Sequence, residues 1–180
     1  DLFLSRTSDL STKPPAITMR KPPASATVGH MKLILAQGNP GAQYTKTRHN
    51  VGFQALDFYA QKHQLEFQAK PKFHALIAET SVGKQKILLA KPTTFYNETG
   101  LAARTIADFY KLPTEDILVI HDELSLPFGT LRTREKGSDA GNNGIKSLNA
   151  HLGEQYARIR VGTWNDHADT VGSFDFVLSK

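Results

Sequence analysis

An apolar run that stops at a glycine-rich turn and resumes as a helical pattern restricts this chain to folds that alternate strands with helices. Between Met31 and Phe53 the sequence reads MKLILAQGNPGAQYTKTRHNVGF. Leu33-Ile34-Leu35-Ala36 is apolar throughout and short, as a buried strand is. Gly38-Asn39-Pro40-Gly41 breaks it: Pro40 fixes its own φ, and Gly41 can take the positive φ of a type II turn. Polar-tipped Tyr44, Arg48, His49 and Asn50 follow. From there Phe53, Leu56, Tyr59, Ala60 and His63 recur at helical spacing. A strand edge, a turn and a histidine ahead of a helix make a candidate site.

The alternation continues. Phe73 to Ala78 and Lys86 to Ala90 read as two strands around a hairpin-like turn, Ser81-Val82-Gly83-Lys84. Asn97 to Lys111 reads as a helix with an inner stripe of Leu101, Thr105, Ile106, Phe109 and Tyr110, capped by Asn97 or Thr99 and closed by Leu112-Pro113. Ile117-Leu118-Val119-Ile120 is apolar on both faces, the pattern of a central strand, with His121-Asp122-Glu123 just beyond it. Gly129 to Arg134 alternates and places its arginines on one face. A polar loop, 135 to 142, leads into a helix from Asn143 to His151. Ala157 to Val161 is a strand with Arg158 and Arg160 on one side, and Phe174 to Leu178 reads as a last short strand. This order predicts a single α/β domain, a mixed β-sheet flanked by helices.

Residues 1–30 stand apart. They carry Pro14-Pro15, Pro22-Pro23, many Ser and Thr, and neither period, so they read as disordered. A non-native extension ahead of a start at Met31, a transit peptide and a functional tail all fit. The domain is therefore assigned to 31–180. No apolar run approaches the ~20 residues of a membrane helix. Cysteine is absent, which removes disulfides, thiolate metal sites and a cysteine nucleophile. The net charge of +5 includes +2 from Arg6, Lys13, Arg20 and Lys21 against Asp1 and Asp9. The remainder is mildly basic, which permits a polyanion partner without predicting one.

Three groups of residues have chemistry to offer. His49 has the residue type of a general base at neutral pH, although a lone histidine is more often structural. Asp122, at the end of an apolar strand, is the best acceptor to orient it. Asn39, Asn97 and Asn143 each sit in a glycine-containing turn; asparagine suits such turns, but its amide also grips a peptide, places a water or meets an oxyanion. Arg132 and Arg134, with Lys136, Lys146 and Arg160, form either a solvated strand face or a clamp for phosphates. No P-loop, HExxH or cofactor fingerprint is present: the turn at Pro40 lacks GK[ST] and one backbone N–H.

Four stretches resemble, in order, the bacterial-type peptidyl-tRNA hydrolases: the segment from Met31 to Phe53, Lys91-Pro92-Thr93-Thr94-Phe95-Tyr96-Asn97-Glu98-Thr99-Gly100, His121-Asp122-Glu123-Leu124, and Gly141-Asn142-Asn143-Gly144. The resemblance implies a single α/β domain with a central mixed sheet, and a C-terminal helical region that this chain stops short of. It implies a hydrolase that cleaves the ester between a peptide and the 3′ end of tRNA, with water as nucleophile and neither metal nor cofactor. It implies His49 as base, Asp122 as its orienting acid, and Asn39, Asn97, Asn143 and Tyr44 lining the substrate cleft. Arg132, Arg134 and Arg160 would hold the 5′ phosphate and acceptor stem. It also implies a cytoplasmic monomer, or an organellar one if residues 1–30 are a transit peptide.

The chain departs from the family pattern in places. Asn142 stands where a histidine is usual, and Tyr96 where a methionine is usual. Asp139 adds an acid beside the expected phosphate clamp. These changes bear on substrate affinity more than on the reaction, since His49 and Asp122 are intact. Two other readings stay open: a scaffold resembling organellar RNA-splicing cofactors of the same fold, which would tolerate loss of His49, and a small-substrate esterase, which would be indifferent to Arg132 and Arg134.

Overall fold

The computed structural model describes residues 31–166 and 172–179; the reading of residues 1–30 as disordered lies outside them. Seven strands form one sheet: β1 (Lys32–Ala36), β2 (Gln68–Lys70), β3 (Ala75–Val82), β4 (Gln85–Pro92), β5 (Ile117–Pro127), β6 (Leu131–Arg134) and β7 (Ala157–Trp164). Their order is β2-β3-β4-β1-β5-β7-β6. The inner strands β4, β1, β5 and β7 are parallel, and β2, β3 and β6 complete the sheet antiparallel. The mixed sheet expected from the alternation is therefore present. The turn between β3 and β4 is a two-residue hairpin in which Gly83 takes φ 60°, the left-handed geometry such a loop needs.

Alternation along the inner strands sorts two cores. Leu33, Leu35, Leu88, Ala90, Ile117 and Val119 face one way, onto α2 (Thr99–Tyr110) and α3 (Asn143–Leu152). Ile34, Ala36, Ile87, Leu89 and Ile120 face the other, onto α1 (Val51–Lys62) through Phe53, Leu56 and Tyr59. This is why β1 and β5 read as continuous apolar runs: both their faces are covered. From β1 the chain passes through α1, β2 and β3 to β4 on one side of β1, and then crosses through α2 to β5 on the other. The sheet order therefore reverses beside β1, and the carboxyl ends of β1, β4 and β5 flank a crevice of the kind where open α/β sheets bind ligands.

Several local expectations are corrected. The α2 stripe is rotated: Leu101 and Phe109 are 41% and 57% exposed, whereas Gly100, Ala102, Ala103, Ile106 and Ala107 are buried. The reason is the closeness of α3. A Cβ on Gly100 would lie 2.2 Å from the Ser147 carbonyl oxygen, so small residues must face that joint. Neither Asn97 nor Thr99 caps α2; Glu98 occupies the N-cap without a side-chain bond, and the Thr99 hydroxyl donates back to the Tyr96 carbonyl (2.7 Å). His121-Asp122-Glu123 lies within β5, paired to β7, rather than beyond the strand. Gly41 has the expected positive φ of 111°, but its ψ of 144° is far from the ψ near 0° of a type II turn. Finally, the segment read as a last strand is a short helix, α4 (Ser173–Leu178). Phe176 and Val177 are buried, and the Phe176 ring packs under the Arg48 guanidinium.

Candidate active site

His49 belongs to a one-turn 3₁₀ helix, Arg48–Asn50, that runs directly into α1. Gly52 sets its position: a Cβ there would lie 2.6 Å from the carbonyl oxygens of both Gln37 and Ile120. The start of α1 therefore sits on β5 where it passes the end of β1, and His49 hangs over that edge. Arg48 fastens the same turn to α4 through Ser179 Oγ (2.5 Å) and the Phe176 ring (4.2 Å to its centre).

Asp122 meets His49 from β5. Its Oδ2 lies 2.8 Å from His49 Nδ1. A carboxylate can only accept, so Nδ1 carries the proton and Nε2 is left with its lone pair. Asp122 is 2% exposed, and the His49 side chain is 19% exposed. A pocket of about 280 Å³ opens beside the pair, lined by His49, Asp122, Glu123, Asn142, Asn143 and Val177 among others. A partly exposed imidazole with a buried orienting acid can take a proton from a water held in such a pocket.

Tyr96 completes the cluster. Its ring stacks on His49 with centroids 3.5 Å apart and planes 15° from parallel. Its hydroxyl donates to Asp122 Oδ1 (2.5 Å) and accepts from Asn142 Nδ2 (3.0 Å). Its backbone N–H donates to Asn39 Oδ1 (2.8 Å). Burial, then the Asp122 charge, push the Tyr96 hydroxyl well above the ordinary tyrosine range, so it remains a donor. Gly144 leaves room for the ring, since a Cβ there would meet Tyr96 at 2.4 Å and the Gln37 amide at 2.3 Å.

The other expected residues divide. Asn143, the first residue of α3, opens onto the His49 pocket. Asn39 is tied in through Tyr96 and locked by Asn50, which bonds both its backbone N–H and its carbonyl (2.8 and 2.9 Å). Its side chain borders an adjacent pocket of about 250 Å³ with Phe53, Asp57 and Lys91. Asn97 is exposed on the turn that holds Tyr96. Tyr44 is half-buried in the turn before His49, where its carbonyl accepts from Thr47 Oγ1 (2.8 Å).

Of the arginines, Arg132 and Arg134 lie apart from this cluster, while Arg160 reaches its rim through Glu123. Register pairs Arg132 with Arg160 and Arg134 with Arg158, and Arg160 in turn pairs with His121. Asp122, next along β5 from His121, points to the opposite face. Arg132 and Arg134 are exposed, two strands (about 10 Å) from β5. Arg160 pairs with Glu123 (3.5 Å). Arg158 is 2% exposed and donates to the Gly137 and Ser138 carbonyls, which fastens the loop before α3. Asp139 is engaged with that loop's backbone, its Oδ1 accepting from Gly141 N–H (2.9 Å). His121 is buried, its Nδ1–H donating to the Asp122 carbonyl (2.6 Å) and its Nε2 shut away from solvent, so it is not a competing base; burial also lowers its pKa from the ordinary histidine value.

Sequence reasoning missed Tyr96, Asn50 and Asn142 as parts of the cluster. Each looks like packing or turn chemistry locally, and only the fold brings Tyr96 from the β4–α2 connection onto residues far along the chain.

Comparison with known proteins places this geometry among relatives. A family model described as peptidyl-tRNA hydrolase matches residues 33–180. The chain is 50% identical over 133 residues to a peptidyl-tRNA hydrolase of Desulfitobacterium hafniense, covering 73% of this chain and 71% of the relative. It is 44% identical over 151 residues to one of Ligilactobacillus salivarius, covering 83% and 80%. Among solved structures it resembles a peptidyl-tRNA hydrolase from Acinetobacter baumannii, with a TM-score of 0.76, 30% identity and coverage of 86% and 79%. It also resembles a peptidyl-tRNA hydrolase in complex with N-propanol, with a TM-score of 0.77, 32% identity and coverage of 84% and 76%.

Proposed function

The chain belongs to the peptidyl-tRNA hydrolase family, hydrolases of the ester bond in peptidyl-tRNA, and on that premise we propose that His49 is its catalytic base. The observation that carries the reading is the 2.8 Å bond from His49 Nδ1 to buried Asp122 in a pocket at the carboxyl edge of the parallel strands. With Nδ1–H held by Asp122, Nε2 takes a proton from water as the water oxygen bonds to the ester carbonyl carbon. The carbonyl becomes an oxyanion. As it collapses, the bond to the ribose 3′ oxygen breaks and the proton passes from Nε2 to that leaving oxygen. The products are a peptide carboxylic acid and tRNA with a free 3′ hydroxyl. Asp122 offsets the imidazolium charge while it exists. Between them the amides of Asn39, Asn97 and Asn143 position the peptide, the terminal nucleotide, the water or the oxyanion.

Arg132 and Arg134, exposed on β6, would contact phosphates of the acceptor stem at a distance from the chemistry, so they act on affinity. Arg160, paired with Glu123, would join them by exchanging that partner for phosphate. Tyr44 lines the cleft ahead of His49. The enzyme works as a cytoplasmic monomer and returns tRNA from stalled translation to use.

The test is release of an N-blocked amino acid from its tRNA ester by the 180-residue chain, with metal chelated. His49→Ala should lower kcat by about 10²–10⁴-fold. Undiminished turnover by that variant would remove His49 from the mechanism. An unsubstituted chain that binds RNA without turnover would favour a scaffold.

A further inference from the structure

Every hydrogen-bond donor and acceptor from the start of α3 to His49 is assigned by its partner. Asn142 caps α3, its Oδ1 accepting from Ile145 N–H (3.0 Å). Its amide orientation is thereby fixed, and Nδ2 is the atom directed at Tyr96. The Tyr96 oxygen accepts that bond, so its single proton goes to Asp122 Oδ1. The other carboxylate oxygen, Oδ2, is left for His49 Nδ1–H. The chain therefore has one proton direction, beginning at a helix N–H and ending at the lone pair of His49 Nε2. The ring also lies flat on the imidazole and restricts its tilt.

We propose that Tyr96 is a positioning residue which, held by Asn142, fixes the orientation of Asp122 and through it the tautomer of His49. This rests on the reading of His49 as the base. Tyr96 is 4% exposed, so its effect falls on the chemical step rather than on substrate affinity.

Tyr96→Phe keeps the stacked ring and deletes only the hydroxyl. It should lower kcat about tenfold, by loss of one charge-assisted hydrogen bond, with KM within about twofold. The decisive readout is its combination with Asp122→Asn. With Tyr96 present, residue 122 must turn its carbonyl oxygen to the tyrosine proton, because the tyrosine oxygen already accepts from Asn142. Its NH₂ then faces His49 and imposes the Nε2–H tautomer, which is no base. With Phe at 96 that constraint is gone, and the amide can turn its oxygen to His49. The double variant should therefore turn over faster than Asp122→Asn alone. Loss of the hydroxyl would thus lower kcat beside Asp122 and raise it beside asparagine. A packing role does not predict that change of sign.

Histidine ¹⁵N NMR reads the same point without turnover: His49 as Nε2–H in Asp122→Asn, restored toward Nδ1–H in the double variant. Failure of the unsubstituted chain to hydrolyse the ester would overturn the proposed function, and the NMR comparison would still judge Tyr96. An active chain in which Tyr96→Phe leaves kcat unchanged would overturn the role of Tyr96. So would a double variant no faster than Asp122→Asn, or an unchanged tautomer.

Discussion

Gly144→Ala should damage the candidate active site through a buried residue packed against Tyr96. An ideal Cβ at 144 lies 2.4 and 2.6 Å from two Tyr96 ring carbons and 2.3 Å from Gln37 Nε2. Carbon–carbon contact needs about 3.5 Å, so something must yield by about 1 Å. Gln37 is fully buried. The Tyr96 ring is held by the His49 stack, the Asp122 and Asn142 bonds and its backbone bond to Asn39. Overpacking of this kind costs about 1–3 kcal/mol, which for a chain of this size lowers Tm by roughly 2–12 °C. A displacement of about 1 Å takes the 2.5 Å bond to Asp122 out of hydrogen-bonding range, and misplacement on that scale costs up to about 100-fold in rate. Thermal unfolding and kcat on the blocked aminoacyl-tRNA ester measure both. Gly83→Ala is the control: it meets no atom within 4 Å and its φ of 60° makes it a pure backbone penalty of about 1–2 kcal/mol, with kcat unchanged. A Gly144→Ala variant that loses stability yet keeps parental kcat would refute the claim that the Tyr96 ring position governs the chemistry.

Other outcomes follow from the same geometry. Asp122→Asn should lower kcat by about 10²–10⁴-fold in ester hydrolysis, because restoring the Nδ1–H tautomer opposite an amide NH₂ leaves unmatched buried donors worth about 1–3 kcal/mol each. Arg132→Ala/Arg134→Ala should raise KM with kcat kept, and flatten the dependence of kcat/KM on salt by about two phosphate contacts, roughly 1.5–2 in the log–log slope. His121 supplies a pH effect. Its folded pKa is lowered by burial, so below the ordinary value of about 6.5 the unfolded chain binds the proton and the folded chain does not. That contribution is absent above the unfolded value and destabilises increasingly as pH falls through it. Denaturant midpoints of His121→Gln should decline less between roughly pH 7 and 5 than those of the parent.

The layers of the fold were legible because burial on both faces leaves continuous apolar runs, as in Leu33 to Ala36 and Ile117 to Ile120. Strand order was not, since nothing local tells β1 to sit between β4 and β5. The α2 face was misread because hydrophobicity favours Leu101 and Phe109, whereas the close approach of α3 at Gly100 demands small residues. In the site, His49 and Asp122 were visible from motif and residue type, and their 2.8 Å bond needed the fold. Tyr96 and Asn142 looked like separate departures from a family pattern. They are bonded to each other, a relation that sequence spacing of this length does not express.

The protonation pattern of His49 tests the central claim most directly. Long-range ¹H–¹⁵N correlation on the histidine-labelled chain at mildly alkaline pH reads which ring nitrogen carries the proton. The geometry predicts Nδ1–H with an unprotonated Nε2, converting to the opposite tautomer in Asp122→Asn. Nε2–H in the unsubstituted chain would contradict an Asp122-oriented base, whatever the enzyme's turnover.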